Sequence, residues 1–361
     1  MHVLHVTHHY PPNDGGVERH VHALATRQAA AGHRVTVIAA DAGEDRPVFA
    51  IEEGVTVRRF DGIAPGGTYY FAPGLAAAVR DGPATLLHVH NYHALPFVQA
   101  GLAADVPVVA TPHYHGTSDD RLRRALLWAY RPLGRRVLDR ADAVVAVSEW
   151  ERERLAAEFG VEATVVPNGV DSRFVRARRR PGPARDRPYL VCVGRLVEYK
   201  GVDHAVRALG ALPEYDLLVA GRGPYRDTLE RLAREAGVAD RVTFLGYVDD
   251  ADLPRLYAGA SAHLALSSVE AYGLTVGEAL ATGTPAVVAT ARGLRDWAER
   301  DDCVGVEDCS PSTVAKAVHE AVSLDAPRGP VPTWDDCAAG VAAVYDDVLA
   351  RRPSPSDEQS F

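Results

Sequence analysis

The chain has 361 residues, of which 47% are hydrophobic and 24% charged, with a formal net charge of −9; this is globular composition, and at roughly 100–200 residues per domain it favours two domains. The charge is uneven: residues 1–180 carry 21 Arg and no Lys against 20 acidic residues, whereas residues 181–361 carry 18 basic against 28 acidic residues. A globally basic nucleic-acid binder, a disordered chain and a collagen-like chain are excluded on these numbers, and lysine chemistry has only Lys200 and Lys316 available.

Met1 to Pro12 reads straight into a strand at His2–Thr7, without the basic and apolar regions of a signal peptide, and no apolar run approaches the ~18 residues of a membrane span. The spacing then predicts a helix over Val17–Ala31 and strands at Arg34–Ala40, Thr85–His90, Val106–Thr111, Ala143–Val147 and Thr164–Val166. Strands separated by helix-length segments predict βαβ units and a parallel sheet. A Pro/Gly/Arg-rich stretch, Asp171–Pro188, breaks the rhythm and reads as a linker. A second series follows, with strands beginning at Tyr189, Tyr215, Arg241, Ala262 and Pro285, and a last helix spans about Trp334–Arg351. The expected domains are therefore residues 1–175 and 186–332, with helix 333–351 packing back on the first domain and 352–361 as a tail. Cys192, Cys303, Cys309 and Cys337 lack metal-knuckle spacing and read as reduced thiols. In such sheets ligands bind beyond the carboxyl ends of the strands, so those loops carry the chemistry.

After the first strand, Pro11-Pro-Asn-Asp-Gly15-Gly16 runs into a helix. It is either a plain turn or a place where backbone approaches an anion at free helix amides. After the strand at Tyr189 stand Arg195 and Lys200, five apart, a planar fork and a point charge suited to a diphosphate. The bland reading is a solvated pair; Lys200 gains weight because arginine replaces lysine almost everywhere else. Glu270 and Glu278, eight apart, flank the helix start near Gly273 and Leu274. A carboxylate there accepts two sugar hydroxyls or caps locally, and the nearby amides suit phosphate oxygens.

In order along the chain, Gly15-Gly-Val-Glu-Arg-His20, Ala31-Gly-His-Arg-Val-Thr-Val37, His88-Val-His90, Thr111-Pro-His113, Ala141–Ser148, Val166-Pro-Asn-Gly-Val-Asp171, Val193-Gly-Arg-Leu196 with Lys200-Gly201, Val219–Pro224 and the Glu-x7-Glu stretch resemble the family-four retaining glycosyltransferases. The resemblance spans nearly the whole chain. It implies the GT-B fold, an α/β architecture of two Rossmann-like domains facing across a cleft. It implies a retaining, metal-independent enzyme of the EC 2.4 class that moves a sugar from a UDP- or GDP-linked donor to an acceptor hydroxyl. Arg195 and Lys200 would stabilise the leaving diphosphate, and Glu278 would hold the ribose. Glu270 would face the transferred sugar, with the amides near Gly273 and Leu274 on its phosphates. Gly16 would approach the diphosphate, and His113 the sugar near its reacting carbon. Gly221, Gly223 and Val248 would line the base pocket. The leaving phosphate itself would deprotonate the acceptor on the same face, so no carboxylate nucleophile and no cofactor are needed.

Other readings compete. His8-His9, His88-x-His90-x-x-His93 and His113-x-His115, all expected at or past strand ends, have metal-ligand chemistry, yet no acid-rich motif accompanies them and the resemblance requires no metal. Arg121–Leu138 mixes six arginines with Leu and Trp, interrupted at Pro132. It is either a surface helix packed on the core or a basic amphipathic contact with an anionic membrane, which would put the protein on the cytoplasmic face. A nucleotide-sugar epimerase or sugar phosphorylase on the same fold is the rival enzyme. A nicotinamide oxidoreductase lacks its Gly-x-Gly-x-x-Gly, and a non-catalytic sugar-binding module does not need the complete set of charged residues. One departure from the family stands out: its usual Gly-Gly-x-x-Glu appears as Arg292-Gly-Leu-Arg-Asp296, followed by a loop read at Asp301–Gly305. The acceptor would be a glycan, a lipid-linked molecule or a small molecule.

Overall fold

The computed structural model describes residues 1–13, 15–43, 46–63, 71–116, 121–177, 186–324 and 329–351, except for the side chains of residues 121–123. It divides into two compact units, one of Met1–Pro167 together with the chain from Trp334 on, the other of Asn168–Thr333.

The first unit contains β1 (His2–Thr7), α1 (Gly16–Ala30), β2 (Arg34–Ala39), β3 (Phe49–Glu52), β4 (Val55–Arg59), α2 (Leu75–Arg80), β5 (Leu86–His90), α3 (Leu95–Ala103), β6 (Val108–Thr111), α4 (Arg121–Arg140), β7 (Ala143–Ala146), α5 (Glu149–Phe159) and β8 (Thr164–Val165). Its strands pair in the order β3-β4-β2-β1-β5-β6-β7-β8, parallel except for the β3–β4 hairpin. The strands are continuous β-branched and leucine runs because helices cover both faces of a parallel sheet. The hairpin was not expected, since three of the four residues of β3 are exposed and show no apolar alternation. It turns at Glu53-Gly54, both at positive φ (49° and 80°), the backbone that a tight hairpin requires.

Helix α4 runs through Pro132 without a break, a correction to the expected interruption. Tyr130, Gly134, Val137 and Leu138 are buried on its inner side, and this packing compensates for the hydrogen bond that proline cannot make. The histidines also differ from expectation. His88 lies inside β5 and is wholly buried, as are His5 and His90. They form a chain: His90 Nε2 to His5 Nδ1 at 3.0 Å, His5 Nε2 to Gln28 Oε1 at 2.8 Å, and Gln28 Nε2 donating to Tyr345 Oη at 3.3 Å. Tyr345 Oη also meets His88 Nδ1 at 2.6 Å, and His88 Nε2 meets Thr111 Oγ1 at 2.7 Å. Tyr345 belongs to the C-terminal helix Trp334–Ala350 (α13), which this chain and the Arg27–Asp335 ion pair (2.6 Å) tie to the first unit.

The second unit contains α6 (Ser172–Ala177), β9 (Tyr189–Val193), α7 (Val202–Ala208), β10 (Asp216–Ala220), α8 (Arg226–Glu235), β11 (Val242–Gly246), α9 (Leu253–Ala258), β12 (Ala262–Ala265), α10 (Leu274–Thr282), β13 (Ala286–Ala289), α11 (Arg295–Ala298), β14 (Cys303–Val306) and α12 (Pro311–Ser323). The order is β11-β10-β9-β12-β13-β14, parallel throughout. β14 occupies what the sequence suggested was a loop at Asp301–Gly305. Its Cys303, Val304 and Val306 are buried as an edge strand beside β13. The unit begins earlier than the expected linker and the expected boundary at residue 175. Phe174 of α6 is 1% exposed and packs with Tyr257 in this unit's core. Residues 178–185 of the expected linker and the tail 352–361 lie outside the described residues. All four cysteines are free thiols.

Candidate active site

In the second unit all strands point one way, so the loops after β9, β10, β11, β12 and β13 share one edge. The strand order reverses between β9 and β12, and ligands of open α/β sheets bind at such a switch point. A hollow there is lined by Arg195, Lys200, Ser267, Glu270, Thr275 and Leu294 among others. Three of the sequence-predicted residues, Arg195, Lys200 and Glu270, thus meet in one place.

Close backbone packing builds this edge. Gly194 N–H donates to Ala220 O at 2.9 Å and Leu196 N–H to Arg222 O at 2.8 Å, zipping the loops after β9 and β10 together. A Cβ on Gly221 would lie 1.8 Å from Gly194 O, and one on Gly223 would lie 2.2 Å from Leu196 O. These two glycines, expected at the base pocket, have a backbone reason to be glycine. Gly201 (φ 66°) lets the Lys200 turn close on β12, where a Cβ would come within 2.1 Å of Leu266 O. Ser267 Oγ and Ser268 N–H both donate to Tyr199 O, at 3.0 and 2.9 Å.

Lys200 Nζ is hydrogen-bonded to Glu270 Oε1, with both side chains about one-fifth exposed. The two form an ion pair. Arg195 is exposed and donates from Nη2 to Tyr199 Oη at 2.8 Å. Gly273 (φ 91°) caps α10, and a Cβ on it would come 2.4 Å from Leu294 Cδ2. The first-turn amides of α10, beginning with Leu274 and Thr275, have no acceptor within the helix and carry the positive end of its dipole. Glu278, one turn further, is 5% exposed and accepts from Tyr257 Oη at 3.1 Å; it does not line the hollow with the other three. Val248 is half-buried against the core, and next to it Tyr247 is half-exposed with the Arg222 guanidinium 5.8 Å from its ring centre.

The stretch Arg292–Asp296 shapes the loop beside Glu270. Arg292 sits at φ 51°, left-handed geometry that glycine adopts without strain. Gly293 remains obligatory, since a Cβ would lie 2.1 Å from Ala271 O, and its N–H donates to Glu270 O at 3.1 Å. This loop thereby holds Glu270 in place.

In the first unit, Gly16 is exposed at the start of α1. Gly15 makes room for Glu18, whose Oε2 would lie 2.2 Å from a Cβ there. Burial raises the Glu18 carboxyl, but His9 and His8 beside it outweigh this and leave it below its ordinary value. The loop is held from beneath by buried Asp41, which accepts from Tyr10 N–H (3.0 Å), Asn13 Nδ2 (2.6 Å) and Arg59 Nη1 (2.8 Å). Sequence reasoning missed this clamp, because Asp41 and Arg59 look like ordinary strand-end residues. His113 follows β6 at φ 48°, is 6% exposed and packs edge-on to His20 with ring centres 4.7 Å apart. Burial first, then His20 and His8, hold its imidazole well below the usual range. Burial therefore favours its uncharged form. His5-His88-His90, His20-His90-His113 and His8-His9-Glu18 each bring three potential metal-ligating atoms within 4.8 Å of one another. The last grouping includes a carboxylate that the sequence reading did not connect with the histidines.

Comparison with known proteins places the chain in a family. Residues 14–174 match the family model Glycosyltransferase Family 4, and residues 175–328 match Glycosyl transferases group 1. Over 94% of its length the chain is 31% identical to the GDP-mannose-dependent alpha-(1-6)-phosphatidylinositol monomannoside mannosyltransferase of Mycobacterium tuberculosis, covering 97% of that protein. It is 32% identical to the glycogen synthase of the same organism over 87% of this chain and 84% of the relative. Among solved structures, sucrose-phosphate synthase from Thermosynechococcus elongatus shares the fold with a TM-score of 0.77 at 21% identity, covering 97% of this chain and 100% of the other. Anabaena HepE in complex with UDP does so at 0.72 and 19%, covering 97% of each. With two parallel-sheet α/β units and full-length relatives that are named transferases and synthases, the chain belongs to the family-four glycosyltransferases of the GT-B fold.

Proposed function

We propose that this glycosyltransferase takes its sugar from a nucleoside diphosphate sugar, UDP- or GDP-linked, and transfers it to an acceptor hydroxyl with retention and without a metal ion. The observation that carries the reading is the gathering of Arg195, Lys200 and Glu270 beside the first turn of α10 at the switch point of the second sheet. A sugar diphosphate reacts through an oxocarbenium-like transition state, so its leaving group needs charge stabilisation more than the reaction needs a strong nucleophile. Arg195, Lys200 and the α10 amides supply that stabilisation, each well-placed donor contributing about 3 kcal/mol. Glu270 orients Lys200 until the diphosphate takes over the cation, and its carboxylate then turns to the sugar hydroxyls. Glu278 serves the ribose, with Tyr257 fixing its carboxylate. Tyr247 and Val248 border the base beside Gly221 and Gly223. Gly16 serves the diphosphate, and the neutral His113 serves the transferred sugar. The leaving phosphate accepts the proton of the acceptor hydroxyl on the face from which it departs, which gives retention.

The GDP-mannose dependence named for the M. tuberculosis relative favours a guanine donor, and its phosphatidylinositol monomannoside acceptor favours a lipid-linked one. Among the described residues no helix is long and apolar enough to cross a membrane. Contact with an anionic cytoplasmic membrane surface would run through 121–138. On α4, Trp128 is 77% exposed, with Leu126 and Leu133 also exposed, and Arg124, Trp128, Arg131 and Arg135 follow helical spacing along one stripe. The epimerase and phosphorylase readings are not favoured, since the relatives are named as transferases and synthases. The test is transfer from GDP-mannose and UDP-glucose with EDTA present, with the anomeric configuration of the product read by NMR. An inverted product, or activity that appears only with added divalent ion, refutes the mechanism.

A further inference from the structure

His113 holds a left-handed backbone although it is not glycine, a conformation that persists only where the surroundings enforce it. The amide that follows it is gripped: Tyr114 N–H donates to Glu151 Oε1 at 2.5 Å. The other carboxylate oxygen, Oε2, accepts from Val147 N–H at 2.7 Å, just past β7. Glu151 is wholly buried, and among the described residues no cation pairs with it. Burial pushes its carboxyl up to about 8 against the pull of the Val147 and Tyr114 amides. Locally the sequence is a capping box, Ser148-Glu-Trp-Glu151, and the Glu151 N–H donates to Ser148 Oγ at 3.1 Å. Such a glutamate normally serves its own helix at the surface. Here it extends from α5 to the ends of two strands, and a buried acid without a cation is costly unless it fixes something.

We propose that Glu151 is a positioning residue of the transfer reaction, holding His113 in its strained turn through the amide of Tyr114. The proposal rests on the role given to His113 above. The test compares Glu151→Gln, Glu151→Asp, His113→Ala and the double variant Glu151→Gln/His113→Ala. Nucleotide release from GDP-mannose or UDP-glucose gives kcat and KM, and hydrogen exchange reports the Tyr114 amide. Glu151→Gln is expected to speed exchange at Tyr114 by about tenfold and to lower kcat by roughly ten- to a hundredfold, with KM nearly unchanged. Placed in the His113→Ala background, it should cost almost nothing more. Glu151→Asp retains the carboxyl group but shortens the reach, and is expected to give the same pattern; it carries the test if the Gln variant does not fold. Unchanged exchange at Tyr114 overturns the grip. An equal loss of kcat in both backgrounds overturns the positioning role and leaves a purely structural one. Unchanged kcat in His113→Ala alone overturns the role of His113 and the catalytic half of the proposal; the exchange data distinguish that outcome from failure of the grip.

Discussion

Replacing Lys200 by alanine separates chemistry from folding more cleanly than any other single change. The structure sets both magnitudes. Lys200 is bonded to Glu270 and both are partly exposed, so loss of the pair costs at most about 1 kcal/mol of stability, or ~2–4 °C in Tm for a domain of this size. Loss of one preorganised cation from the leaving diphosphate costs about 3 kcal/mol of transition-state stabilisation, a fall of 10²–10³ in kcat. Glu270→Gln breaks the same ion pair and keeps the cation, so it is the control: its Tm should fall as much, and it should still bind the free nucleoside diphosphate. The assay is nucleotide release from GDP-mannose and UDP-glucose, beside a thermal melt of each variant. A folded Lys200→Ala enzyme with unchanged kcat refutes the reasoning, and so does a large loss of Tm with little change in rate.

Other outcomes follow from particular contacts. Gly221→Ala places a Cβ on Gly194 O at a backbone angle unsuited to it, and should cost on the order of 3 kcal/mol; a Tm equal to wild type contradicts the loop zipper. Burial holds His5 and His263 down to about 4, whereas in the unfolded chain they titrate near 6.5. The unfolded state therefore binds more protons between these values. Stability is full above pH 6.5 and falls as the pH drops towards 4, by roughly 3 kcal/mol per histidine at most. Glu151, raised to about 8, acts in the opposite sense as the pH falls from 8, but below pH 6.5 the buried histidines outnumber it; a Tm that rises as the pH falls from 6.5 to 4 contradicts their neutral burial. Trp128→Ser combined with Arg124→Ser should abolish co-sedimentation with anionic vesicles, and negligible binding by the wild type ends the membrane reading of α4.

The parallel-sheet architecture was legible because β-branched runs alternate with helix-length segments, and the scarcity of lysine drew attention to Lys200, which lies in the hollow with Arg195 and Glu270. What escaped depends on contacts between distant positions. Pro132 reads locally as a break, and only the packing of Tyr130, Val137 and Leu138 carries α4 through it. Gly221 and Gly223 were expected at a base pocket, and the close approach of the neighbouring loop's backbone oxygens to them was not legible. Arg292 reads as a lost glycine, yet it adopts the left-handed backbone that suits glycine. Glu151 was invisible as a site residue because its two partners, Tyr114 and Val147, lie on different strand ends. The Lys200–Glu270 pair joins two motifs that read separately as a phosphate clamp and a sugar acceptor.

The most direct measurement is calorimetric titration of GDP and UDP into wild type and Arg195→Ala with EDTA present. The account predicts that the wild type binds one of the two without a divalent ion and that Arg195→Ala loses most of that affinity. No binding of either nucleotide, binding only when a divalent ion is restored, or equal affinity in the variant would contradict it.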